Sequence, residues 1–326
     1  MTLLDVRNLS VTYRGGIPAV QDVSLRVEGG EILGVAGESG SGKSTMALSL
    51  LRLLPVDARV GGEVHFQGLN LPEASWGEIR AVRWAQASVI FQGSMNALNP
   101  VQTIGKQICE PILLHDQVGV RAARRRASEL LDSVGVPSQR IGAYPHELSG
   151  GQRQRVMIAM ALACRPDLII ADEPTTALDV MVQAQILQLL GELVADTGIG
   201  VIMISHDLSV LAGMCDRLAV MYAGRVVEEG PSGALFAEPR HPYMQALSQV
   251  FPRIGDPSSR LAPTGIAGDP PSPGSIDQGC PFAPRCAHVM PDCRTHDIQL
   301  WPSGDDRTAA CLRVLPEYDP APEVAS

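Results

Sequence analysis

The stretch Gly37-Glu38-Ser39-Gly40-Ser41-Gly42-Lys43-Ser44 constrains the chain more than any other. Three glycines in so short a span suit neither a helix nor a strand, yet both flanks read as regular structure. Glu31-Ile32-Leu33-Gly34-Val35-Ala36 is a short apolar run, as a strand buried on both faces of a parallel sheet needs to be. Residues 44–54 are rich in Leu, Ala and Met and free of Gly and Pro, which predicts a helix ending before Pro55. A glycine turn between a buried strand and a helix start lets the backbone bend around an anion. Its N–H groups and the positive end of the helix dipole then face that anion.

The pattern G-x-x-x-x-G-K-S is the phosphate-binding loop of P-loop NTPases. It predicts Lys43 at the β- and γ-phosphates of a nucleotide and the Ser44 hydroxyl on Mg²⁺, with Thr45 beside it. The alternative, an accidental glycine turn, does not account for the strand before it and the helix after it.

Three other segments place polar residues where they could join this loop. Leu168-Ile169-Ile170-Ala171 is a second buried-strand run and ends in Asp172-Glu173. Carboxylates at the C-terminal end of a parallel strand lie at the same sheet edge as a loop of this kind. Asp172 is therefore assigned to Mg²⁺, and Glu173 to orienting or deprotonating a water. Val201-Ile202-Met203-Ile204-Ser205 is a third such strand, and His206 after it is a candidate for the terminal phosphate. Ser149 caps a helix whose start carries Gly150, Gly151 and Gln152, a second anion-ready helix end. Tyr13 closes the first strand and reads equally as a half-buried aromatic or as a platform for a base.

The rest is coarser. Residues 3–37 alternate apolar and polar around the turn at Arg14-Gly15-Gly16 and predict antiparallel strands. Residues 55–87 read as short strands and loops. Ser88-Val89-Ile90-Phe91 is a strand ending at Gln92, and residues 103–114 and 120–134 read as helices. Arg121, Arg124, Arg125 and Arg126 read as a solvated face. Residues 217–230 predict a hairpin turning at Ala223-Gly224.

At 326 residues and 45% apolar content the chain can bury a full α/β core and carry a second unit. Its net charge of −9 argues against a nucleic-acid partner. The first residues lack the apolar core of a signal peptide, and no run of 18 apolar residues occurs. A cytoplasmic setting with reduced thiols is the expectation. Cys109, Cys164 and Cys215 then read as small core hydrophobes. Cys280, Cys286, Cys293 and Cys311 are spaced C-x5-C-x6-C-x17-C in a segment dense in Pro and Gly. Four clustered thiols suggest a metal site, and the spacing leaves an iron–sulfur cluster, zinc and no metal open. The Pro-rich tail beyond Cys311 reads as disordered.

Taken together, the segments resemble the nucleotide-binding subunit of an ABC transporter over residues 1 to about 240. Residues 37–44 match the Walker A motif and Leu168–Glu173 the Walker B motif with its catalytic glutamate. Leu148-Ser149-Gly150-Gly151-Gln152 is the LSGGQ signature. Gln92 matches the Q-loop, Ala177-Leu178-Asp179 the D-loop, His206 the switch histidine and Tyr13 the adenine-stacking residue. The resemblance implies an α/β P-loop core with an antiparallel β subdomain and a helical subdomain at about residues 93–160. It implies ATP and Mg²⁺ bound by Tyr13, Gly37, Ser39, Gly40, Ser41, Gly42, Lys43, Ser44, Thr45, Gln92 and Asp172. Two such subunits would face head to tail, with Ser149, Gly150, Gly151, Gln152 and Asp179 completing the partner's site.

Residues 91–100 and His241-Pro242-Tyr243-Met244-Gln245-Ala246-Leu247 are similar to the oligopeptide and dipeptide importer ATPases. Those importers usually carry Asp or Glu-Pro-Met after the glutamine, where this chain has Gly-Ser-Met. The resemblance implies residues 241–326 as a C-terminal extension whose cysteines, in some members, hold a [4Fe–4S] cluster. It implies a homologous ATPase partner, two permease subunits, an extracytoplasmic binding protein and a peripheral place on the cytoplasmic face of the membrane. The cargo would be di- or oligopeptides, with nickel or another small solute as the alternative. A soluble ABC ATPase acting on the ribosome or DNA is disfavoured by the single cassette and the lack of heptads.

Overall fold

The apolar runs of the sequence become the centre of a parallel sheet. β3 (Ile32–Ala36), β7 (Leu168–Asp172) and β8 (Gly200–Ile204) are buried at every position, which is why they read as unbroken apolar runs. With β6 (Ala87–Ile90) and β9 (Arg217–Tyr222) they run parallel in the order β9-β3-β8-β7-β6. This computed structural model describes residues 2–91, 97–176, 178–250, 266–275 and 278–318. Gln92, the Gly93–Asn96 part of its loop and Ala177 of the D-loop lie outside the described residues.

A second, antiparallel sheet has the order β2-β1-β4-β5, from β1 (Thr2–Tyr13), β2 (Ile17–Glu28), β4 (Arg59–Phe66) and β5 (Leu69–Asn70). Val23 and Leu25 turn from it towards the parallel sheet. Between the two sheets lies α1 (Lys43–Leu50), the helix that follows the glycine loop. Its Met46, Ala47 and Leu50 share one core with Val23, Leu25, Leu33, Val35 and Ile204. The loop is thus held by both sheets at once.

The other face of the parallel sheet is covered by helices. α3 (Ile104–His115), α4 (Val120–Ser133) and α5 (Gly150–Ala161) pack on one another, and α6 (Val180–Thr197) and α7 (Leu208–Met214) follow. The expected helices and the hairpin turn at Ala223-Gly224 are present, the latter joining β9 to β10 (Arg225–Pro231) with positive φ at both turn residues. One helix escaped the reading of residues 55–87. α2 (Trp76–Val82) starts on a capping box in which Ser75 Oγ accepts from the Glu78 N–H and Glu78 accepts from the Ser75 N–H. That S-x-x-E pattern is the local signal that was available. The arginine face of α4 also needs correction. Arg121, Arg124 and Arg125 are exposed, but Arg126 is half-buried and its Nε donates to the Ala163 carbonyl at 3.5 Å.

The last part of the chain is built onto the main sheet. After α8 (Ser232–Ala237) and α9 (Pro242–Val250), β11 (Trp301–Pro302) pairs with β12 (Thr308–Ala309), and β12 pairs with β10 at Glu228↔Ala309. Residues 312–318 are not the disordered tail the prolines suggested. Leu312–Val314 form a 3₁₀ turn with Leu312 buried, and the Tyr318 hydroxyl donates to Asp292 at 2.7 Å. Among the described residues no helix is long and apolar enough to cross a membrane.

Where this segment joins the core, two buried titratable groups oppose each other. Glu228 accepts the N–H groups of Arg240 (2.8 Å) and His241 (2.9 Å). Burial pushes its carboxyl from 4.5 up to about 7, against those bonds and the Arg307 and Arg240 charges. Burial also pushes His241 from 6.5 down to about 3. Between about pH 5 and pH 6.5 the folded chain keeps a proton on Glu228 that the unfolded chain has lost, so this contribution weakens as pH rises. The unfolded chain meanwhile protonates His241 and the folded chain does not, so that contribution weakens as pH falls. The two slopes have opposite signs and oppose each other in the wild type. Glu228→Gln is expected to lose melting temperature on acidification from about pH 6.5 to about pH 5 more steeply than the wild type. Parallel melting curves would refute the compensation.

Candidate functional site

Two of the loop's glycines are required by close approach as well as by conformation. A Cβ on Gly37 (φ +148) would lie 2.2 Å from the Met221 carbonyl, and one on Gly42 (φ +99) 2.4 Å from the Ala19 carbonyl. The loop is therefore wedged between β9 of one sheet and β2 of the other. Gly42 stands at the helix N-cap without a side-chain cap, which leaves the first N–H groups of α1 free for an anion. Lys43 is buried, and its Nζ donates to the carbonyls of Gly37 and Glu38, both at 2.8 Å. Burial lowers its pKa, opposed by the charges of Glu173, Asp172 and Glu38. Ser39 and Gly40 lie on the exposed outer side of the loop and Ser41 is buried.

The sheet edge brings the expected carboxylates to this loop. Ser44 Oγ donates to Asp172 Oδ1 at 3.1 Å. Asp172 is buried, and burial raises its pKa above the usual carboxylate range. A serine hydroxyl beside a buried carboxylate is a hard-oxygen pair of the kind Mg²⁺ takes, so the donor set fits that ion. Glu173 follows with φ +48, a left-handed backbone that turns its side chain out of the strand line. Its carboxylate accepts from Thr176 Oγ1 (2.9 Å) and meets His206 Nδ1 (3.1 Å). Burial alone would raise its pKa; the bonds from Thr176 and His206 and the charges of His206 and Lys43 outweigh it, and the net shift is downward. A carboxylate kept ionised and aimed by two donors can accept a proton from water. Thr176 was not singled out from the sequence, although it sits three residues beyond Glu173.

Tyr13 is half-buried, and its hydroxyl shares a hydrogen bond with Thr45 at 3.1 Å, tying β1 to α1. The signature residues form their own helix start. Ser149 Oγ accepts from the Gln152 N–H (3.3 Å) and Gln152 Oε1 accepts from the Ser149 N–H (3.1 Å). A Cβ on Gly151 would meet Val182 Cγ1 at 2.6 Å, so this glycine also lets α5 approach α6. Asp179 caps α6, accepting from the Val182 N–H at 3.0 Å. Ser149 is exposed and its bonds stay within its own turn.

Residues 20–176 match the ABC transporter family, and residues 227–293 match the oligopeptide/dipeptide transporter C-terminal region. The oligopeptide transport ATP-binding protein OppD of Salmonella typhimurium is 45% identical over 324 residues, covering 97% of this chain and 95% of that protein. The chain belongs to the oligopeptide transport ATP-binding family of ABC transporters. OppD of Mycobacterium tuberculosis is 48% identical over 95% of this chain, which spans about half (52%) of that longer relative. Among solved structures, the ATP-binding cassette MJ0796, dimeric and bound to ADP and Pi, matches with a TM-score of 0.63. It is 31% identical and covers 70% of this chain and 98% of its own.

One expectation drawn from this ABC family fails. The resemblance implies a [4Fe–4S] cluster on Cys280, Cys286, Cys293 and Cys311, with zinc as the alternative. Among the described residues no group of three or more His, Cys, Asp or Glu side chains is placed to hold a metal ion. The four thiols border a void of only about 10 Å³, lined also by Phe282, Ile298 and Leu312. That is room for one water at most. Burial pushes Cys280 up to about 12 and Cys311 up to about 11. The relatives are named as ATP-binding proteins. Cys293 is buried in the main hydrophobic core, and Cys280 and Cys286 pack against it.

The wedged loop yields a contrast that thermal unfolding can read. Gly37→Ala forces a methyl into the Met221 carbonyl and is expected to lower the melting temperature by several degrees. Gly40→Ala meets nothing within 4 Å and bears only the backbone strain of φ +79, about 1 kcal/mol. Equal losses would contradict the wedge.

Proposed function

We propose that this chain binds Mg²⁺-ATP on the glycine loop and hydrolyses it to drive import of di- or oligopeptides through a membrane permease. The observation that carries the reading is the convergence of Lys43, Ser44, Asp172, Glu173 and His206 at one sheet edge, with Ser44 on Asp172 and Glu173 on His206. On ATP binding Lys43 exchanges the Gly37 and Glu38 carbonyls for phosphate oxygens, a gain for a buried ammonium. Ser44 and Asp172 would hold the Mg²⁺, which would supply positive charge against the phosphates. Glu173 takes the proton of the attacking water, held in place by Thr176 and His206.

The helix start at exposed Ser149 and half-buried Gly150 and Gly151 offers N–H groups that its own loop does not use. We assign it to the phosphates of a second ATPase subunit, facing this one head to tail and homologous to it. The dimeric state of MJ0796 supports that assembly. The names of the relatives support oligopeptides as cargo. Two permease subunits as the membrane partner and an extracytoplasmic binding protein as the source of substrate belong to the same proposal.

Glu173→Gln keeps the shape and removes the base. ATP should still bind with near wild-type affinity, while turnover of the assembled transporter falls by about 100-fold or more. Peptide uptake into vesicles should fall with it. Turnover close to wild type would remove Glu173 from its role.

A further inference from the structure

A carboxylate sits inside the anion-binding loop. Glu38 follows Gly37 directly, and its charge is close enough to Lys43 to influence that ammonium. A bare carboxylate there repels the phosphates the loop is built to hold. The structure shows it already paired. Arg285 Nη1 donates to Glu38 Oε2 at 2.7 Å and Nη2 donates to Oε1 at 3.0 Å, a two-pronged grip.

Arg285 comes from the C-terminal extension, between Cys280 and Cys286, and its side chain is only 5% exposed. Every part of the guanidinium is engaged. Nε donates to the Ala267 carbonyl (3.0 Å), Nη2 also to the Ile266 carbonyl (3.2 Å), and Nη1 also to the Tyr222 hydroxyl (3.3 Å). The Tyr222 and Phe282 rings lie about 6 Å from it. A second strut from the same region, the Tyr243 hydroxyl, accepts from the Glu38 N–H at 2.9 Å. Tyr222, Tyr243 and Phe282 pack on one another with ring centroids 4.6 to 5.3 Å apart, so the end of β9, α9 and the extension form one block behind the loop. An arginine with this many fixed partners is preorganised and does not search for its carboxylate.

We propose that Arg285 is a positioning residue of the nucleotide site: it neutralises Glu38, and so makes ATP affinity depend on the C-terminal extension being docked. The inference rests on the nucleotide-site reading above. It assigns the extension a part in ATP binding through Glu38. Because coupling is reciprocal, bound ATP stabilises the docked extension by the same factor.

The test is a cycle of ATP affinities on the full chain, measured by calorimetry at low salt with Mg²⁺. Arg285→Gln exposes the Glu38 charge and should weaken ATP by about tenfold. The same replacement made on a Glu38→Gln background has no charge to expose and should change affinity by less than about twofold. Equal losses on both backgrounds overturn the proposal, since Arg285 would then act only by holding the extension together. If Arg285→Gln loses its thermal transition, Arg285→Lys serves in its place. It keeps the charge and breaks the fork, and should weaken ATP by less than about threefold; a tenfold loss in a folded Arg285→Lys chain also overturns the proposal. A wild-type chain that binds no ATP defeats the nucleotide-site reading itself, an outcome separate from a wild type that binds tightly while the cycle shows no coupling.

Discussion

The structure depends on one close fit, the glycine loop pressed against two carbonyls from opposite sides. Met221 at the end of β9 meets Gly37, and Ala19 of β2 meets Gly42. Neither contact tolerates a side chain, so the loop's course is dictated by the two sheets and not by its own flexibility. From that course follow the direction of α1, the uncapped N–H groups at its start and the place of Lys43. The parallel register of β3, β7 and β8 then sets how far along the edge Asp172, Glu173 and His206 emerge. The Ser44–Asp172 bond is the first point at which loop and edge touch.

The electrostatics at that edge are divided in a way that suits hydrolysis. Asp172 is deep and pushed towards its neutral form by burial, and Ser44 and Lys43 draw it back. Glu173 is shallower and is held ionised by Thr176 and His206. Two adjacent carboxylates therefore have different tasks, one suited to a cation and one to a water. The left-handed backbone of Glu173 separates them by turning the second out of the strand.

How much of this was legible follows from sequence separation. The strand, loop and helix at residues 31–54 are contiguous, and each residue's role follows from its neighbours. The edge residues were legible because a buried strand announces its own C-terminal end. The capping box at Ser75 and Glu78 was legible too and was passed over, because a seven-residue helix leaves little periodicity. The four cysteines were over-read. Spacing says that thiols are clustered; it does not say how much space lies between them, and here the gap is about 10 Å³. The Glu38–Arg285 pair spans 247 residues, and nothing local to either residue points to the other. The ordered stretch at residues 312–318 depends likewise on partners such as Asp292 that its own composition does not reveal.

The most direct test of the nucleotide site is a calorimetric titration of the purified chain with Mg²⁺-ATP, run beside Lys43→Ala. The loop geometry predicts saturable binding at one site in the wild type and its loss in the variant, because the alanine removes the loop's own buried ammonium and leaves the fold's two cores intact. Binding of equal strength in both chains would contradict the account, and ATP would then have to sit somewhere other than between Gly37 and Ser44.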